Sequence, residues 1–290
     1  MRARAWCWLW VCWVVFGLMA CAQQEAFRVE RGLVKLGELG FVPVETPPQI
    51  KAWLKRPLPA GQAGASDVLH VYLEGDGAAW WAQKLPPTDP TPRFSVALPL
   101  AQMDHHPAVA YLARPCQFVS AMARQDCPVQ WWTTARWGDA SVSITAQALD
   151  TVHQASGARE LVLVGHSGGG TLALLVAARR QDVRCVVTIA SPLDVHAWTQ
   201  GQGMTPLTDS LNPADLPVPT GGFEERHLRG EADRVVPAFA MGRYRARLRT
   251  DQVMTIANQG HSQGWVQRWR QAQEAQTPMT SWLKDCLGSS

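Results

Sequence analysis

The most reactive pattern in the chain is Gly165-His166-Ser167-Gly168-Gly169, a G-x-S-x-G run set between two apolar stretches. Leu161–Val164 before it is suited to a buried strand. Residues 171–178 after it are rich in Ala and Leu and read as a helix. A strand that turns abruptly into a helix holds its middle residue at strained backbone angles. It also presses helix against strand, so the flanking positions must lack side chains. Ser167 Oγ would then stand at the carboxyl edge of a sheet, beside the helix's free N–H groups and positive dipole end. The plainer alternative is a serine that only caps the helix.

A serine hydroxyl is a poor nucleophile at neutral pH and needs a neighbouring base. His261, in Gly260-His261-Ser262, follows the last strand-like run and so reaches the same sheet edge; otherwise it is a surface turn histidine. His70 lies inside a strand, and His105, His106, His153 and His227 have no evident aim. His166 belongs to the serine turn itself and cannot easily fold back. The base in turn requires an acid to fix its tautomer and stabilise its cation. Asp233, in "GEADRVVP" after the penultimate strand, is the candidate; its other reading is a turn residue bonding its own backbone. Asp194, in "ASPLD", is the rival, and capping the next segment is the preferred reading for it. Glu231, two residues from Asp233, is expected to point away. Acyl transfer would also need donors for the developing oxyanion. Gly168 N–H is one, and Asp76 or Gly77 in Gly75-Asp76-Gly77 supplies the other, unless that run is an ordinary tight turn. Trp80 and Trp81 follow, suited equally to a pocket wall or to the core.

The elements that must position these groups alternate along the chain. Strand-like runs are expected within 27–34, 41–45 and 50–56, and again at 67–77, 107–114, 161–164 and 184–194, while 224–237 and 252–265 each hold a strand and a turn. Helical patterns fall within 91–103, over 138–156 with Asp139 as N-cap, over 171–178, over 238–249 and toward the C-terminus. Strands alternating with helices give an α/β fold, a mostly parallel central sheet covered by helices on both faces. Ligands bind such sheets at the strands' carboxyl ends. The Pro/Gly-rich stretch 195–222 is long enough for a small cap insertion. At 290 residues, one large domain is expected.

Here the sequence resembles the α/β-hydrolase superfamily. Ser167, Asp233 and His261 follow its chain order, "GEADRVVP" and "GHSQGW" match its acid and histidine turns, and the resemblance covers nearly the whole mature chain. The resemblance implies a serine hydrolase acting on a small-molecule ester or thioester of a small or medium acyl group, with no cofactor. The same three residues could instead serve acyl transfer or peptide cleavage; a non-catalytic envelope scaffold would have no need of all three. "RPCQF" and "WWTTARWGD" resemble segments of lipoprotein α/β-hydrolases, and a salt bridge is the default expectation for Arg114 and Arg136.

The first 21 residues carry Arg2 and Arg4, then an apolar stretch from Ala5 to Ala20, the layout of an export signal. Leu18-Met19-Ala20-Cys21 resembles a bacterial lipobox. That implies a signal peptide over 1–20, a lipidated Cys21 opening the 21–290 domain, and two or more acyl chains that anchor stably. Ala22 after it favours the outer membrane, so the chain is expected in the bacterial envelope, on the periplasmic face. The net charge of +3 includes both leader arginines, and no basic cluster argues for nucleic acid. Of seven cysteines, Cys7 and Cys12 would leave with the signal. In an oxidising compartment Cys116 and Cys127, flanked by Pro115 and Pro128, are expected to form a disulfide. Cys185 and Cys286 are either a second pair or two buried thiols. No cysteine or histidine spacing suggests a metal.

Overall fold

The centre of the sheet comes from runs whose residues are apolar at consecutive positions, because both faces are covered. The computed structural model describes residues 33–55, 66–79, 85–217 and 222–288. Eight strands make one sheet: β1 (Phe41–Val44), β2 (Ala52–Lys55), β3 (Val68–Leu73), β4 (Val109–Leu112), β5 (Glu160–His166), β6 (Val183–Ile189), β7 (Glu224–Gly230) and β8 (Val253–Ile256). Their order is β1-β2-β4-β3-β5-β6-β7-β8. β2 runs antiparallel to both β1 and β4, and every other neighbouring pair is parallel.

Alternate residues of each central strand feed opposite cores. Leu161 and Leu163 of β5 pack with Leu69, Val71 and Leu73 of β3 under α2 (Asp139–Ser156) and α3 (Gly168–Ala177). Val162 and Val164 pack on the other face, with Tyr72 and Tyr111, under α1 (Ala97–Met103), α5 (Trp265–Glu274) and α6 (Pro278–Leu287). The segment after β6 begins with α4 (Val195–Gly201). Its Val195, Trp198, Leu207 and Ala214 join the first core, which makes it part of the domain's packing.

Several local expectations are corrected. Residues 33 and 34, expected in a strand, lie in a helical turn over 33–38. Gly138, not Asp139, is the N-cap of α2; Asp139 is its first helical residue and pairs with Arg179 at 2.6 Å. The expected helix over 238–249 is a 3-10 segment, Ala238–Arg247, broken at Gly242 (φ 41°, ψ −131°). A Cβ there would meet the Asp194 carboxylate at 2.4 Å, so the break is where that buried acid enters. Cys116 and Cys127 stand at disulfide distance, Cα–Cα 6.0 Å, and so do Cys185 of β6 and Cys286 of α6, at 5.4 Å. The leader, Cys21, Trp80 and Trp81 lie outside the described residues.

Candidate active site

β5 ends at His166 and α3 begins at Gly168, leaving Ser167 alone on the turn at φ 53°, ψ −127°. This is a costly conformation for a residue with a side chain, about 1–3 kcal/mol. It persists because the surroundings fix it: Ser167 N–H donates to Ile189 O at 2.8 Å, and its carbonyl accepts from Gly170 N at 3.1 Å. The glycines are needed for close approach. A Cβ on Gly165 would stand 2.3 Å from Gly170 N, and one on Gly169 would stand 2.4 Å from Glu74 O. Both obstacles are backbone and cannot swing aside.

His261 and Asp233 arrive from the loops after β8 and β7. His261 Nε2 lies 3.0 Å from Ser167 Oγ, and His261 Nδ1 lies 2.8 Å from Asp233 Oδ2. The other oxygen of Asp233 accepts Val235 N–H at 2.9 Å and Val236 N–H at 2.8 Å, so the buried carboxylate is both turn former and imidazole partner. Gly230 lets the two loops meet, since a Cβ there would strike Gln259 O at 2.2 Å. The rival acids are engaged elsewhere. Asp194 caps α4 through Ala197 N–H at 3.3 Å and accepts Arg243 N–H at 3.0 Å; Glu231 accepts from Asn258 N–H at 3.2 Å.

Sequence reasoning missed the part played by His166. Its Nε2–H donates to the His261 carbonyl at 3.0 Å, and Trp265 Nε1–H donates to the same oxygen at 2.9 Å. Burial, with the neighbouring His261 ring in support, drives the pKa of His166 down to about 4. It is therefore a neutral tie between the serine turn and the histidine loop. Its signal was its position beside the serine, but the partner lies 95 residues away in sequence. Three more histidines are taken up structurally: His70 on Asp104 at 2.8 Å, His153 on Asp182 at 3.0 Å, and His227 on Glu225 at 2.9 Å.

The loop after β3 comes up against Gly168. A Cβ on Gly168 would stand 1.9 Å from Asp76 Oδ1, so the Asp76 carboxyl group fills the space beside the serine turn. Gly77 (φ 65°) is instead pressed against Pro90 O and Gln117. Gly75 N–H is bonded to Glu74 Oε1 at 2.8 Å, and Ala78 N–H to Pro90 O at 3.1 Å. An oxyanion donor from this loop is thereby narrowed to Asp76 or Gly77. Arg114 and Arg136 both pair with Asp76, at 2.6 and 3.1 Å. Burial would raise the Asp76 pKa, but the two guanidinium groups outweigh it and hold the carboxyl below its ordinary range. Among the described residues no cluster of His, Cys, Asp and Glu could hold a metal, and no helix is long and apolar enough to cross a membrane.

Residues 127–210 match the sequence family described as alpha/beta hydrolase fold, a stretch that includes Ser167 and ends before Asp233 and His261. No curated protein matches the chain. Among solved structures, a serine hydrolase without a lid from Xanthomonas campestris is 14% identical. It covers 86% of this chain and 95% of its own, at a TM-score of 0.52. An esterase from Pyrococcus furiosus is 10% identical, with coverages of 86% and 90% and a TM-score of 0.52. A puromycin-hydrolyzing peptidase from Mycobacterium tuberculosis is 15% identical over 86% of this chain, at a TM-score of 0.52, and this chain spans only 39% of it. Together with the strand order, these likenesses show that the chain has the α/β-hydrolase fold.

Proposed function

We propose that this chain is a serine hydrolase that cleaves an ester or thioester of a small or medium acyl group through an acyl-enzyme on Ser167. The observation that carries the reading is the unbroken relay from Ser167 Oγ to His261 Nε2 (3.0 Å) and from His261 Nδ1 to Asp233 Oδ2 (2.8 Å). As Oγ attacks the carbonyl carbon, Nε2 accepts its proton. Asp233 holds the tautomer that leaves Nε2 free to do so and offsets the charge of the imidazolium. The oxyanion is received by Gly168 N–H and by Asp76 or Gly77 N–H, each donor worth roughly 3–4 kcal/mol. His261 then returns the proton to the leaving oxygen or sulfur. Water, deprotonated by the same imidazole, attacks the acyl carbon, and Ser167 departs with the proton.

In the same reading, Cys21 carries the lipid that tethers the domain to the periplasmic face of a bacterial outer membrane. The test of the chemistry is hydrolysis of chromogenic esters of graded acyl length. Wild type should turn over the shorter members, and Ser167→Ala should lose roughly 10³–10⁶-fold in kcat. Turnover unchanged in that variant would place the activity elsewhere. Transfer to another acceptor, or peptide cleavage, would use the same relay, and product analysis with an added alcohol or a peptide separates those outcomes.

A further inference from the structure

We propose that Asp76 is a positioning residue, and that its clamp between Arg114 and Arg136 sets the oxyanion-binding loop against the nucleophile turn. The inference rests on the serine-hydrolase reading above. Arg114 Nη1 donates to Asp76 Oδ1 at 2.6 Å, and Arg136 Nη1 donates to Oδ2 at 3.1 Å, so both carboxylate oxygens are held from different directions. The guanidinium groups are themselves fixed. Arg114 Nη2 donates to Arg136 O at 2.5 Å, and Arg136 Nε donates to Thr133 O at 2.8 Å. Both arginines are buried.

The same stretch of chain grips the site at two further points. Gln117 Nε2 donates to Gly75 O at 2.9 Å, while its Oε1 accepts Arg114 N–H at 3.1 Å. Trp137 Nε1 donates to Gly168 O at 2.9 Å, on the helix side of the serine turn. One segment, 114–137, closed on itself by the Cys116–Cys127 pair, thus holds both halves of the oxyanion site: the loop through Asp76 and Gly75, the turn through Gly168. The Asp76 carboxylate also occupies the place of a side chain on Gly168, so it sets the spacing between the two halves.

A buried ion pair is a poor way merely to stabilise a fold, because desolvation offsets most of its attraction. What three converging charges supply is a fixed geometry, and donors aimed at a developing oxyanion act only when held within a fraction of an ångström. The clamp therefore belongs to the transition state more than to substrate binding.

The test compares wild type with Asp76→Asn, Arg136→Lys and Gln117→Met, each checked for folding by circular dichroism. Turnover of a chromogenic ester should fall about 10²-fold in Asp76→Asn and about tenfold in the other two. KM should stay within about twofold, because the loss falls on the transition state. A trifluoromethyl ketone, which adds to the serine as an oxyanion, should lose affinity by the same factor as kcat. If Asp76→Asn does not fold, the arginine and glutamine variants carry the comparison. Turnover within threefold of wild type, or a fall in kcat with inhibitor affinity unchanged, would overturn the proposal. Failure of the wild-type chain to turn over any ester or form any ketone adduct would instead sink the hydrolase reading itself.

Discussion

Ser167 and His166 are neighbours with opposite tasks. The strained backbone at Ser167 presents its hydroxyl, while His166 turns inward to donate to the carbonyl of His261. Because burial favours its neutral form, the pKa of His166 falls from 6.5 to about 4. Between those values the unfolded chain binds a proton at this site that the folded chain does not, so stability rises with pH. The contribution is fully present above pH 6.5 and is lost as pH falls through the window, up to about 3 kcal/mol below pH 4. Thermal melts of wild type between pH 7 and 4 should show that loss. His166→Gln, which keeps an N–H donor but does not titrate, should flatten this part of the slope. An identical slope in the variant would mean that His166 is not the group responsible.

At the scale of elements, the loops after β6 and β7 each present an acid near the carboxyl edge, and the packing distinguishes them. Asp194 is consumed in capping α4 and filling the break at Gly242; Asp233 faces the imidazole. Asp233→Asn should therefore lower kcat by roughly 10²–10⁴-fold with little loss of stability. Asp194→Asn should leave kcat within a few-fold while lowering the melting temperature. The reverse pattern in ester turnover and thermal melts would assign the relay to Asp194. Much of this architecture was legible in the sequence. The short apolar runs of β3 and β5 read as buried strands, and α2 shows its helical spacing in Val142, Thr145, Leu149 and Val152, all buried. The 3-10 break at Gly242 was not legible, because it answers to the carboxylate of Asp194, which comes from far earlier in the chain and also bonds Arg243 N–H, 49 residues away. Nor was the clamp on Asp76, assembled from arginines 38 and 60 residues away in sequence. Local pattern reports local propensity; such contacts exist only once the sheet order is set.

For the whole molecule, the sheet brings together residues from the loops after β3, β5, β7 and β8 at one edge, and two cores on its faces hold that edge in place. The Cys185–Cys286 pair ties the sheet to the C-terminal helix, and the Cys116–Cys127 pair closes the segment beside the site, as suits the oxidising compartment proposed for the chain. Tethering by two or more acyl chains at Cys21 predicts firm membrane association. Cys21→Ser should move the protein to the soluble fraction on cell fractionation, and unchanged partitioning would refute the lipid anchor.

The central claim is that Ser167 is made nucleophilic by His261. Labelling with a fluorophosphonate, followed by peptide mapping, tests it most directly. The account predicts one adduct per chain, on Ser167, abolished in Ser167→Ala and slowed by orders of magnitude in His261→Ala. A folded wild-type chain that stays unlabelled, or an adduct that forms equally fast without the imidazole at 261, would contradict it.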